Sequence, residues 1–284
     1  MDSNAIVPRR LRFQIPKDLP RYWNDNCPIK THILNAIAIL APAFERLAIS
    51  SVLPFKDNAG NPLLCEQLKG FIGQESAHGG EFIRYNQILK LQGYDTKRLE
   101  KGNLKRFKWL SEKLSSKMHL SLTLAAEHLT AIISDLILRD KTWLHNAEPS
   151  TRALWRWHAI EEIEHKAVVF DLYKQVRGGY FTRIAGMWLV TGMLGGLLLN
   201  NFGHLVIRDK LIFKLSFWIR TFQVCWGRAG FLRKLILPYL RYYLPFFHPW
   251  HQDNHELIVK WKTFFYQTQS FDDMVRMLQQ DASI

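Results

Sequence analysis

Apolar residues recur at helical spacing along most of the chain, and strictly alternating stretches are scarce. Residues 31–53 (THILNAIAILAPAFERLAISSVL) form an apolar run between Pro28 and Pro54. This run predicts a helix, with Pro42 inside it as a candidate kink. A second helix is expected after Asn61-Pro62, running to Leu91 and ending at Gly93. The polar, basic stretch from Tyr94 to Lys113 reads as a connector. A third helix covers residues 115–139 (SSKMHLSLTLAAEHLTAIISDLILR). Pro149-Ser150 opens a fourth, with Ser150 as its N-cap, which runs to Val176 and stops at Gly178-Gly179. Four long helices with one long connection in the middle are wired as a ferritin-like bundle.

The pattern changes after Gly179. Residues 184–207 carry no charged side chain, and Arg183 and Arg208 close that run. From 208 to 250, lysines and arginines at 208, 210, 214, 220, 228, 233, 234 and 241 face one acid, Asp209. Aromatic residues are interleaved with them, and residues 255–279 read as a final helix. The expected fold is therefore all-α. A ferritin-like four-helix bundle with its N-terminal arm occupies residues 1–179, and a helical, apolar and basic annex occupies 180–284.

Composition narrows the class. Of 284 residues, 48% are hydrophobic, 13% aromatic and 22% charged, which excludes a disordered chain and a polytopic membrane protein. Cys27, Cys65 and Cys225 lie far apart, so a reducing compartment is expected. The opening MDSNAIVPRRLRF lacks the apolar run of a signal peptide, which predicts a cytoplasmic protein.

Each bundle helix places a carboxylate in an apolar setting. These are Glu45 in the first, Glu75 with His78 in the second, Glu127 in the third, and His158, Glu162 and His165 in the fourth. Reduced to spacing, the order is E, ExxH, E, HxxxExxH. Positions i and i+3 share a helix face, so Glu75 projects with His78 and Glu162 with His165, and His158 shares the latter face. Four carboxylates in a bundle core would repel one another and cost several kcal/mol each in lost solvation. Two divalent cations cancel their charge, and neutral imidazoles complete the coordination. This is the dimetal pattern of ferritin-like carboxylate proteins. His158 has two readings, a further metal ligand or a core histidine bonded to a neighbour.

Gln74 and Glu161 each precede a ligand glutamate, where a side chain can reach the histidine of the opposite helix and fix its tautomer. For Glu161 and Glu164 the other reading is a solvated acidic face that pairs with Lys166. Tyr85 shares the face of His78 and reads as a packed tyrosine. The segment HPWHQDNH gathers His248, His251 and His255 near Asp253, and reads as a loop anchored by Pro249 and Trp250 rather than a second metal site.

The stretches FIGQESAHGGEF, WHAIEEIEHKAVVFDLY and YYLPFFHPWH resemble the bacterial proteins catalogued as predicted metal-dependent hydrolases, a ferritin-like family. The resemblance covers nearly the whole chain and implies Glu45, Glu75, His78, Glu127, Glu162 and His165 as ligands. The HxxxExxH stretch also resembles the di-iron arylamine N-oxygenases, in which an additional histidine joins the set. Hard carboxylates and imidazoles without thiolate suit two iron ions, with manganese as the substitute in either position. The leading expectation is a di-iron enzyme that activates dioxygen to oxidise a small, lipophilic substrate, re-reduced by an unidentified electron donor. The alternative is a dimetal hydrolase using a metal-activated water. A non-enzymatic iron store or sensor is a third class.

For residues 184–207, membrane embedding and a soluble buried helix both remain open. The run is long enough to cross a ~30 Å hydrocarbon core, and Gly192 with Gly196 suits close helix packing. The basic, aromatic stretch that follows points to peripheral contact with an anionic surface, the inner face of the cytoplasmic membrane. No nucleic-acid motif accompanies the net charge of +13, so nucleic acid is not an expected partner.

Overall fold

A computed structural model describes residues 6–57, 59–140, 142–267 and 271–280. Among these residues the fold is all-α, and extended pairing is limited to an isolated bridge between Asn24 and Ala147. In chain order come α1 (Pro28–Val52), α2 (Pro62–Leu91), α3 (Thr96–Lys113), α4 (Ser116–Arg139), α5 (Pro149–His165) and α6 (Val168–Gln175). Helices α1, α2, α4 and α5 form the bundle, and α3 lies in the crossover.

Local sequence accounts for the helix starts. Asn61 accepts from Leu63 N–H, and Ser115 from Met118 N–H. α5 starts at Pro149 rather than with Ser150 as cap. Glu148 supplies the cap, its carboxylate accepting from the N–H groups of both Ser150 and Thr151. The expected connector is helical as well. Leu99, Asn103 and Phe107 are buried at four-residue steps along α3, a narrow seam that the surrounding lysines and arginines mask. α1 continues through Pro42. The fourth predicted helix divides into α5 and α6. At the division, buried Lys166 donates to Gln252 O (2.7 Å) and Asn254 Oδ1 (2.6 Å), so its partner is not the acidic pair of α5.

The annex consists of α7 (Tyr180–Arg208), α8 (Leu215–Trp226) and α9 (Phe231–Arg241), followed by α10 (His255–Gln267) and α11 (Phe271–Gln280). The helix expected over 255–279 is helical at 255–267 and 271–280, and 268–270 lie outside the described residues. α7 packs lengthwise on α1 and α4. Its buried stripe of Met187, Val190, Leu194 and Leu197 joins Leu40, Phe44, Leu122 and Ala126 in one core. Gly186 allows the approach, since a Cβ there would lie 2.1 Å from Ser121 Oγ. The opposite side of α7 is open, with Phe181, Trp188, Leu189 and Leu199 exposed. Among the described residues, three helical segments are long and apolar enough to cross a membrane: residues 28–55, α4 and α7. The first two are 67% and 78% buried within the protein, whereas α7 is only 28% buried, so α7 is the one with apolar surface to spare.

The N-terminal arm is part of the core. Leu11, Phe13, Leu19 and Trp23 are buried, and Ile6 and Pro8 lie against α2 where Gly70 and Gly73 make room. A Cβ at Gly70 would stand 2.2 Å from Ile6 O, and one at Gly73 2.3 Å from Pro8 Cγ.

Candidate metal centre

The bundle brings all seven predicted side chains together. Glu45 comes from α1, Glu75 and His78 from α2, Glu127 from α4, and His158, Glu162 and His165 from α5, and all are buried. Ligand atoms of Glu45, His78, His158 and Glu162 lie within 4.8 Å of one another, as do those of Glu75, Glu162 and His165. Glu162 belongs to both groups. At one pole, His158 Nε2 is 3.2 Å from Glu162 Oε1 and 3.7 Å from Glu45 Oε1, and His78 Nδ1 is 3.5 Å from Glu162 Oε1. At the other, His165 Nε2 is 3.1 Å from Glu75 Oε1, 3.2 Å from Glu127 Oε2 and 3.5 Å from Glu162 Oε2.

What these atoms lack is the informative part. Both carboxylate oxygens of Glu75, Glu127 and Glu162 are buried without a hydrogen-bond partner, as are Glu45 Oε2, His78 Nδ1, His158 Nε2 and His165 Nε2. Each such group costs about 1–3 kcal/mol, more when charged, and here every member of the set contributes one. Lone pairs aimed at one another a few ångströms apart are the arrangement that cations satisfy. The donor set fits a pair of divalent ions, with hard oxygens, imidazole nitrogens and no thiolate, and Glu162 is the side chain that would be available to both.

The protonation tendencies agree. Burial, then neighbouring carboxylates, push Glu45 and Glu75 well above the usual carboxylate range, and burial also raises Glu127. Burial opposes ionisation of Glu162 too, but His165 and His158 more than offset it and hold its pKa low. Burial disfavours charge on His165, yet Glu162 and Glu75 raise it well above its ordinary value. Without metal, protons do the neutralising.

The surrounding shell fixes the histidines. His78 Nε2 donates to Glu161 Oε2 (3.0 Å), which leaves Nδ1 to face the cluster. His165 Nδ1 donates to Gln74 Oε1 (3.1 Å), which leaves Nε2. Positions 74 and 161 thus reach the opposite helix's histidine, as their place beside the ligand glutamates predicts. Glu161 and Glu164 are not a solvated face: both are buried. Arg9, from the arm, donates to Glu161 (2.9 Å) and to Glu164 (2.7 and 3.2 Å), and Gln74 Nε2 donates to Glu164 (2.8 Å). Lys262 of α10 adds a second cation 3.3 Å from Glu164. Two acids and two cations balance in this layer, so the uncompensated negative charge is confined to the ligand carboxylates.

Sequence reasoning missed Arg9 and Lys262. Their separation from α5 along the chain leaves no local signal, and only the packing of the arm and α10 reveals them. Tyr85 is a packed residue, donating to Asn35 Oδ1 (2.6 Å). The rings of Trp157, Phe82 and Phe71 stand 4.8–4.9 Å from those of His78, His158 and His165 and pack against the centre. In the His248 loop, His248 Nδ1 accepts from Trp250 N–H while Pro249 is buried, a turn rather than a ligand cluster.

Fold and site together give a buried carboxylate–histidine cluster compatible with a dimetal site, built into a four-helix bundle. The chain belongs to the family described as predicted metal-dependent hydrolase, whose model matches residues 7–253. That span includes Arg9, every candidate ligand, and α7 to α9. Among curated proteins and solved structures, none matches the chain. The family description sides with hydrolysis, the second of the two chemistries that the sequence suggested.

Proposed function

We propose that this protein is a dimetal-dependent hydrolase acting on a lipophilic substrate at an anionic membrane surface. The observation that carries the reading is the convergence of seven ligand-type side chains whose buried atoms lack partners, in a chain of a family described as metal-dependent hydrolases. Two bound divalent ions would supply Lewis acidity and a water acidic enough to attack an ester or phosphate near neutral pH.

The chain's own residues do the rest. Glu162 stands between the two poles, Gln74 and Glu161 hold His165 and His78 in single tautomers, and the aromatic rings pack against the histidines. Membrane contact is supported by complementarity. All eight lysines and arginines between 208 and 241 are exposed, along a segment that also exposes Phe213, Trp218, Phe222 and Leu237.

A second reading, dioxygen activation, draws on the donor set itself, because carboxylates and imidazoles without thiolate suit iron. Two Fe(II) ions would supply two electrons to dioxygen, and a separate donor would restore them. One experiment separates the readings. Protein loaded with manganese or zinc is assayed anaerobically on nitrophenyl esters of graded chain length, and Fe(II)-loaded protein is assayed for oxygen uptake. Ester cleavage that depends on metal and disappears in Glu162→Ala supports hydrolysis. Stoichiometric oxygen uptake with a visible absorption band, and no cleavage, replaces it with the second reading.

A further inference from the structure

A pocket of about 590 Å³ lies between α1, α4, α5, α7 and α9. Glu45 and His158 are the members of the metal-ligand set that reach it. The wall beyond them is aliphatic, including Leu40, Ile133, Ile137, Leu194, Leu198 and Leu235. Its hydroxyls are largely engaged elsewhere. Thr130 donates to Glu127 O (3.0 Å), Thr191 pairs with Tyr239 (3.0 Å), and Tyr239 pairs with Tyr243 (2.6 Å). Such a cavity offers an occupant apolar contact along its length and polar contact chiefly at the metal end. On α1 the lining runs from Ile37 to Glu45 and on α9 from Leu232 to Leu240, each about 12 Å at 1.5 Å per residue.

The other end is open. Trp226, Leu232, Ile236 and Leu240 line the pocket and are also exposed. They continue into the apolar surface of α7 to α9, with the exposed cations Arg228, Arg233 and Arg241 next to them along the chain, while Lys234 is paired with Asp140 (2.6 Å). A mouth made of hydrocarbon, on a helix that also carries exposed positive charge, suits the interfacial zone of an anionic bilayer.

From this we infer that the pocket takes the aliphatic chain of a membrane lipid, admitted from the bilayer between α7 and α9, with the reacting group at Glu45 and His158. The inference rests on the reading of those two residues as part of a metal centre. Gly195 keeps the pocket open. It lines the cavity, and a Cβ there would meet no heavy atom within 4 Å. Gly196, next along α7, has equally free space but is exposed and does not line the pocket. A phenylalanine at 195 fills the cavity, whereas one at 196 points away from it, at the same loss of glycine.

The test titrates metal-loaded full-length protein with dansyl-undecanoic acid, whose emission shifts to the blue in apolar surroundings, and displaces it with oleate. Wild type and Gly196→Phe should bind alike, while Gly195→Phe should bind at least about tenfold more weakly with its metal content unchanged. Ile133→Trp blocks the same cavity from α4 and should behave as Gly195→Phe, which guards against a folding defect in α7. Equal binding by all four proteins overturns the proposal. Metal analysis of the same samples keeps the two readings apart: absent metal in wild type sinks the metal centre, whatever the probe does. A second arm presents the probe in vesicles. Transfer to the protein should be at least about tenfold faster from phosphatidylserine-containing than from neutral vesicles, and equal rates overturn the membrane route.

Discussion

At the centre of the bundle, four glutamates and three histidines are shut away from water, whereas along α7 to α9 large apolar side chains stand in it. Phe213 is 87% exposed and Phe246, just beyond α9, 90%, while Glu75, Glu127 and Glu162 have no exposure at all. Soluble proteins normally do the opposite in both places. A buried charge needs a countercharge and an exposed apolar face needs a cover, and the proposed function supplies a different partner to each: cations to one, hydrocarbon to the other. The two partners are independent, and variants can remove one without the other.

The largest effect is expected at Glu162, which serves both poles. Glu162→Ala should retain less than about a tenth of the wild-type metal while still binding anionic vesicles. Glu127→Ala, which touches the His165 pole, should lose metal there and spare the other. Metal analysis after gel filtration decides between them. Full stoichiometry in Glu162→Ala would remove the bridging carboxylate from the account.

Chelation should come next, because metal that binds the folded chain stabilises it by about 4 kcal/mol at a thousandfold excess over its dissociation constant. The pH dependence should then change sign. In metal-free protein Glu45, Glu75 and Glu127 have folded pKa values above their unfolded ones, as do His78 and His165. The folded state therefore holds more protons, and stability falls as pH rises from the usual carboxylate range through neutrality. Glu162, held low, opposes this only below that range. With metal bound, protons compete for the ligands, so stability should instead fall as pH drops. Thermal unfolding between about pH 5 and 8, with and without chelator, measures both slopes.

The annex is tested by reversing its charge. At about 1 kcal/mol per basic residue near an anionic surface, losing three costs about 3 kcal/mol, or about a hundredfold in partitioning. Arg220→Glu, Arg228→Glu and Arg233→Glu combined should detach the protein from phosphatidylserine vesicles in a sedimentation assay and leave metal content intact. Undiminished binding would strip the exposed cations of that role. A smaller effect is expected around the centre, where Glu161→Gln weakens the acceptor that orients His78. Metal affinity should fall by about 10- to 100-fold, read by competition with a chromophoric chelator. Arg9→Met should follow it, and Gly70→Ala, by pushing the arm away, should resemble Arg9→Met.

Much of this centre was legible in the sequence because a ligand set on helices is written in spacing. Glu75 with His78, and Glu162 with His165, share faces by periodicity alone, and positions 74 and 161 follow from being their neighbours. The annex was legible as composition, since an uncharged run followed by interleaved cations and aromatics has few uses. Tertiary geometry was not legible. α3 was hidden because its seam of Leu99, Asn103 and Phe107 is narrow among lysines. Arg9 and Lys262 were hidden because their partners on α5 lie far away in sequence. The burial of Glu164 is compensated by these two cations, so a reading that lacked Arg9 necessarily placed Glu164 in solvent.

The smallest expected effect concerns the joint between the two regions. Asp209, at the end of α7, accepts from Tyr94 Oη at 3.0 Å and from Arg21 of the arm, and lies 3.0 Å from His32 Nε2 of α1. Burial would raise its pKa, but the bonds to His32 and Arg21 win and hold it well below the usual range. A carboxylate lowered in this way contributes stability above its unfolded value of about 3.9 and loses that contribution as pH falls. The Asp209 carboxylate is 1% exposed, but the Arg21 side chain is 42% exposed, so its hydration discounts the pair. Asp209→Asn should therefore cost only about 1–2 kcal/mol, a drop of about 2–8 °C in Tm. The loss should be somewhat larger at pH 7 than at pH 3.5, because at pH 3.5 the unfolded chain already takes up the proton that the folded carboxylate refuses. Metal content and vesicle binding should both be retained, since the joint touches neither partner. A fall in metal content would show instead that seating of α7 on α1 and α4 is what holds the carboxylates together, and the two regions would then have to be treated as one device.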